Sequence, residues 1–160
     1  MRFFVNLDVF KMSRKQDWET PPSLFKQIDS EFHFTIDVCA LPETAKCERY
    51  YTPLENGLIQ DWSNEICWMN PPYGRYQIEW IKKAHEESLK GATVVCLIPA
   101  RTETKIWHEV IFPNAEVRFF KGRIKFVGAN DNAVFSPALV IFGPNAQKGV
   151  IKTIEMKKDI

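Results

Sequence analysis

Apolar residues in this chain fall into runs of two kinds. Ile66-Cys67-Trp68-Met69 and Thr93-Val94-Val95-Cys96-Leu97-Ile98 are short and unbroken, which predicts buried central strands. Ile78 to Leu89 spaces its apolar residues near helical period, and Gly91 ends it. Another helix is predicted from Ser23 to Glu31, opened by Pro21-Pro22, with Thr20 placed to cap it. Phe32 to Val38 alternates loosely and carries strand formers, so a strand is expected to end at Asp37. Thr102 to Ile111 reads as a third helix. Residues 39–61 are irregular, with Pro42, Pro53 and Asn56-Gly57 as turn signals.

The last third is strand-like at Val117–Phe120, Ile124–Val127 and Ala138–Phe142, and Lys121-Gly122 is expected to turn the first two into a hairpin. Residues 150–160 fit a strand or a frayed helix. Strands alternating with helices imply an α/β fold: a mainly parallel sheet with helices on its faces and an antiparallel C-terminal hairpin. The expected division is a leader over 1–16, a domain over 17–145 and a tail over 146–160. Ligands in such sheets bind beyond the carboxyl ends of the strands. Asp37, Asn70 and Pro99-Ala100-Arg101 all fall at those ends, so they should converge.

With 160 residues the chain is one ordinary domain, large enough for a real core. No run approaches 18 apolar residues, and Asn6, Asp8 and Lys11 interrupt the apolar start. A cytoplasmic protein that crosses no membrane is expected. The cysteines at 39, 47, 67 and 96 form no C-x-x-C pair and read as reduced thiols, with no metal site expected. A net charge of +1 means that any nucleic-acid surface must gather its cations on one face.

Asn70-Pro71-Pro72-Tyr73 carries the chemistry. Two prolines fix two φ angles and hold the preceding residue out of helical space, so the turn is stiff. The Asn70 side chain and the Pro71 carbonyl are acceptors, and Tyr73 is a flat aromatic. Two acceptors beside an aromatic suit a planar exocyclic amine: the ring stacks, the acceptors take the amine hydrogens, and the nitrogen lone pair turns toward a methyl donor. Catalysis of that kind is positioning and hydrogen bonding. Chance supplies Asn-Pro-Pro-aromatic in a chain this long roughly once in a thousand, with proline at about 5%.

These four residues resemble the catalytic motif of amino-group DNA methyltransferases, and the chain is similar to the phage Dam-like N-6-adenine methyltransferase family. The resemblance runs from Asp17 to Gly143. It includes Asp17-Trp18-Glu19-Thr20-Pro21, Asp37-Val38-Cys39-Ala40, Ala45-Lys46-Cys47, Asn56-Gly57-Leu58 with Asp61-Trp62, and Trp68 to Gly74. It continues through Leu97 to Thr102, Phe120 to Phe126 and Pro137-Ala138-Leu139. It implies a compact, reduced Rossmann-like fold, S-adenosylmethionine as donor and adenine in DNA as acceptor.

By position the resemblance puts Trp18, Thr20 and Pro21 over the methionine end of the donor. It puts Asp37 at the cofactor, on its ammonium group or a ribose hydroxyl, and Asp61 at the adenine end. Arg101 would reach DNA phosphate or a loop carboxylate. Lys121, Arg123 and Lys125 alternate, which gives them one face suited to phosphates. The pattern departs from the superfamily in having no glycine-rich turn after Asp37. Only 32 residues lie between Asp37 and Asn70, too few for two full βα units. Glu55 is the nearest candidate for a ribose acid. No separate target-reading domain is visible, so low sequence specificity or a homodimer is expected. Two alternatives remain at this point: a methyltransferase fold that has lost catalysis and serves as a DNA-binding or interaction module, or a protein glutamine methyltransferase.

Overall fold

A computed structural model describes residues 19–128 and 135–157. Helix α1 (Pro22–Phe32) is followed by β1 (Ile36–Asp37), a 3-10 turn (Gly57–Ile59) and β2 (Ile66–Met69). Then come α2 (Gln77–Leu89), β3 (Thr93–Pro99), a π-helical turn (Trp107–Ile111) and the short α3 (Phe112–Asn114). Strands β4 (Glu116–Lys121), β5 (Pro137–Phe142) and β6 (Ile151–Glu155) complete the chain. No described helix is long and apolar enough to cross a membrane.

The strands form one six-stranded sheet in the order β1-β2-β3-β5-β4-β6. β1, β2 and β3 are parallel, with Asp37 beside Trp68 and Met69 beside Cys96. β5 runs against both β3 and β4, and β6 runs parallel to β4. Five strands therefore point one way, and their carboxyl ends share one edge of the sheet. β6 extends the sheet past residue 145.

Both faces of the central strands are covered, which is why they read as unbroken apolar runs. Cys67, Met69, Val94, Cys96, Ile98, Val140 and Phe142 pack toward Trp80, Ile81 and Ala84 of α2 and Trp107 of the π turn. Trp68, Val95, Leu97, Leu139 and Ile141 pack toward Leu24 and Ile28 of α1 on the other face. Gly57 is forced by close approach, since a Cβ there would meet the Val38 carbonyl oxygen at 2.1 Å.

Three local expectations are corrected. Lys121-Gly122 does not turn a hairpin. Residues 123–127 run past β4 with Ile124 and Phe126 buried against α1, and make a single bridge, Val127 to Glu19. Their alternation records burial against a helix, not pairing with a strand. The antiparallel partner of β4 is β5, inserted inside the sheet. The helix predicted from Thr102 starts later, because Thr104 closes a turn on the Arg101 carbonyl at 3.1 Å. It widens to a π turn in which the Phe112 amide bonds the Trp107 carbonyl. Pro113 has no amide to continue the ordinary ladder there. Finally, Thr20 does not cap α1: Pro21 holds the cap position and no side chain bonds the helix end.

Candidate active site

The chain leaves β1 at Asp37 and β2 at Asn70, so parallel pairing sets these two side by side at the sheet's carboxyl edge. An open cleft lies there, with about 810 Å³ of atom-free space counted out to its mouth. Asp37, Asn70, Pro71, Pro72 and Thr20 all line it. Strand geometry thus unites residues that the sequence holds up to 52 positions apart.

Asn70 is held by what the sequence reading took for a helix cap. Its Nδ2 donates to Thr20 Oγ1 at 3.1 Å. That hydrogen bond restrains the plane of the Asn70 amide. The two prolines fix the backbone that follows.

Asp37 is only 3% exposed. Burial pushes its carboxyl up to about 7, against the opposing pull of the Lys46 and Cys39 amides and the Lys46 charge. The Lys46 amide donates to Oδ2 at 3.0 Å and the Cys39 amide to Oδ1 at 3.3 Å. Around neutrality this acid therefore carries a proton part of the time and responds to any cation placed beside it.

The cleft has two kinds of wall. Val38, Ala40, Leu41, Tyr51, Pro53 and Trp80 are apolar or flat. Glu19 and Lys46 are charged, line the cleft and pair with each other at 3.1 Å. Sequence reasoning missed this pair. Both residues lay in segments quoted for the family likeness, but 27 positions apart in irregular chain, where no periodicity could join them.

Other expected residues lie elsewhere. Asp61 is 73% exposed, accepts from the Ser63 amide at 2.9 Å and pairs loosely with Lys90 at 3.9 Å. It precedes β2 and so sits toward the amino end of that strand, away from the cleft. Pro21 closes the first turn of α1 through its carbonyl and does not line the cleft. Glu55 is hydrogen-bonded to Thr52 and is likewise not a lining residue. Trp18 and the expected leader lie outside the described residues.

Tyr73 turns away from the cleft that its three predecessors line. It is 8% exposed, with the Phe135 ring edge-on at 4.8 Å. Its buried hydroxyl has no hydrogen-bond partner among the described residues, and burial raises its pKa.

Arg101 follows β3, is exposed and pairs with Glu103 at 3.0 Å. Lys121 ends β4 at the same sheet edge, also exposed. Arg123 and Lys125 are exposed beyond it, while Ile124 between them is buried. Cys67 and Cys96 are buried thiols, and Cys39 and Cys47 are half-buried thiols.

Comparison with known proteins follows the same lines. The family model described as DNA N-6-adenine-methyltransferase (Dam) matches residues 9–157. A DNA N-6-adenine-methyltransferase of Haemophilus phage HP1 (strain HP1c1) is 33% identical over 153 residues, covering 89% of this chain and 87% of that protein. A DNA N-6-adenine-methyltransferase of Escherichia phage T1 is 30% identical over 102 residues, covering 62% of this chain and 42% of its own.

Proposed function

Because the chain belongs to the DNA N-6-adenine-methyltransferase family, we propose that it transfers a methyl group from S-adenosylmethionine to the exocyclic amine of adenine in DNA. The observation that carries this is the position of Asn70-Pro71-Pro72: at the carboxyl end of β2, on the wall of a cleft that also holds a buried acid.

The donor set of the cleft fits S-adenosylmethionine. A ligand with a cationic amino-acid end and a nucleoside end needs an acid, polar partners and apolar walls. Asp37, Thr20 and Glu19 supply the first two, and Val38, Tyr51, Pro53 and Trp80 the third. When bound, the donor supplies an electrophilic methyl group.

The protein's part is positioning. Thr20 fixes the Asn70 amide so that its oxygen accepts one hydrogen of the adenine amine. The Pro71 carbonyl accepts the other. Accepting both hydrogens turns the nitrogen lone pair out of the ring plane, toward the methyl group. The amine proton leaves after attack, so no strong base is required. Arg101, Lys121, Arg123 and Lys125 are the cations available to DNA phosphates along the same edge. Phosphate contacts of this kind give affinity without sequence.

Incubation of the chain with labelled S-adenosylmethionine and unmethylated DNA, followed by nucleoside mass spectrometry, tests the proposal. N-6-methyladenine is expected. Asn70→Ala should lower its rate at least about a hundredfold, as for loss of an aimed transition-state hydrogen bond. A methylated product other than adenine, or full activity in Asn70→Ala, would reject it.

A further inference from the structure

We infer that Lys46 recognises the carboxylate of the donor's amino-acid end, with Asp37 beside it facing the ammonium. This rests on S-adenosylmethionine being the donor.

Lys46 is the single cation among the described residues that line the cleft. Its side chain is 12% exposed, whereas those of Arg101 and Lys121 are 69% and 75% exposed. It is built into the wall, not left in solvent. An ammonium has three donors, and the Glu19 carboxylate at 3.1 Å uses one. The others remain for a ligand.

The spacing of cation and acid is fixed by the backbone. Lys46 is tied to Asp37 through its own amide, at 3.0 Å from Oδ2. A positive side chain and an acid are thus anchored at one point. An α-amino acid presents the complementary pair, an ammonium and a carboxylate on one carbon. Glu19, Asp37 and Lys46 together carry −1 when both acids are ionised. A sulfonium bearing an amino-acid zwitterion carries +1, so the complex closes neutral.

The location agrees with the chemistry. Glu19 adjoins Thr20, whose hydroxyl takes the Asn70 amide. The charged wall therefore borders the reacting side chain, where the methionine end must lie. The apolar wall continues from Asp37: the Tyr51 amide donates to the Asp37 carbonyl and the Ala40 amide to the Tyr51 carbonyl, each at 2.9 Å, and Gly57 abuts both the Val38 carbonyl and the Trp80 ring. That wall suits the nucleoside.

Calorimetry on the full chain separates the two ends. Two ligands are titrated: S-adenosylhomocysteine, and methylthioadenosine, which keeps the nucleoside and lacks the amino acid. Lys46→Met should weaken S-adenosylhomocysteine at least about tenfold, as for loss of a charged hydrogen bond. Methylthioadenosine should bind as before. Glu19→Gln, which removes the clasp and keeps the cation, should leave the preference for the carboxylate-bearing ligand intact. Equal weakening of both ligands by Lys46→Met, or of neither, overturns the inference. So does a Glu19→Gln chain that loses the preference as fully as Lys46→Met. A control on the unaltered chain uses decarboxylated S-adenosylmethionine, which should bind at least about tenfold more weakly than the intact donor. Equal binding overturns the inference while the donor assignment stands. Failure of the unaltered chain to bind either adenosyl ligand overturns both.

Discussion

The polar groups of the cleft's charged wall and those of residues 73–80, just after the Asn70-Pro71-Pro72 turn, are treated in opposite ways. Along the charged wall Thr20 bonds Asn70, Asp37 takes two backbone amides, and Lys46 pairs with Glu19. After the turn the Tyr73 hydroxyl, the Gln77 amide nitrogen and the Trp80 indole nitrogen are buried with no hydrogen-bond partner among the described residues. Buried polar groups are ordinarily paired, and each unpaired one costs about 1–3 kcal/mol. The charged wall assigned to the donor's amino-acid end is therefore set before any ligand arrives, whereas Trp80 of the apolar wall belongs to the other group. The segment that follows the motif instead carries unused hydrogen-bonding capacity.

The largest expected effect concerns Asp37. Its folded carboxyl stands at about 7 against an ordinary 3.8, so the protonated form favours folding. That stability is fully present below the ordinary value and is lost as pH rises through the folded one. Three pH units at about 1.4 kcal/mol each give roughly 4 kcal/mol. Denaturant unfolding of wild type and Asp37→Asn between about pH 4 and pH 8 should show wild type losing that amount relative to the variant. A difference that does not change with pH would mean the acid is not strained by burial, and the charged wall would lose its most responsive group.

Next in size is Thr20→Val. It keeps the shape and removes one hydrogen bond to Asn70. Methylation should slow about tenfold, the loss of one positioning hydrogen bond, with the unfolding midpoint nearly unchanged. An unaltered rate would show that the Thr20 hydrogen bond is not what orients Asn70.

The smallest effect tests the residues after the turn. Tyr73→Phe deletes a hydroxyl that has no partner among the described residues, so stability measured in urea should stay level or rise by about 1 kcal/mol. A clear loss of stability would mean that the hydroxyl is bonded in solution and that the two groups are alike.

What was legible in the sequence follows the same division of labour. β2, β3 and α2 were readable because both sheet faces are covered and because Asn70-Pro71-Pro72 and Gly91 mark their ends. Asp37 and Asn70 were found as strand ends, a position with chemical meaning in any parallel sheet. Asp61 was misplaced because nearness to β2 along the chain says nothing about which end of the strand a residue occupies. The Glu19–Lys46 pair joins two irregular segments and leaves no periodic trace. The direction of Tyr73 depends on packing against Phe135, 62 residues away, and Ile124 and Phe126 imitate a strand because burial alternates with or without a partner.

The insertion of β5 has a consequence for biosynthesis. The strand that completes the middle of the sheet is made after both of its neighbours. Until Phe142 has left the ribosome, β3 and β4 each present an unpaired edge, and apolar residues that β5 will cover stay open to water. The nascent chain therefore cannot finish its domain piece by piece from the amino end. Translation arrested anywhere between residues 121 and 137 should yield a chain prone to edge-to-edge association, while emergence of residues 137–142 should let β3, β5 and β4 close together.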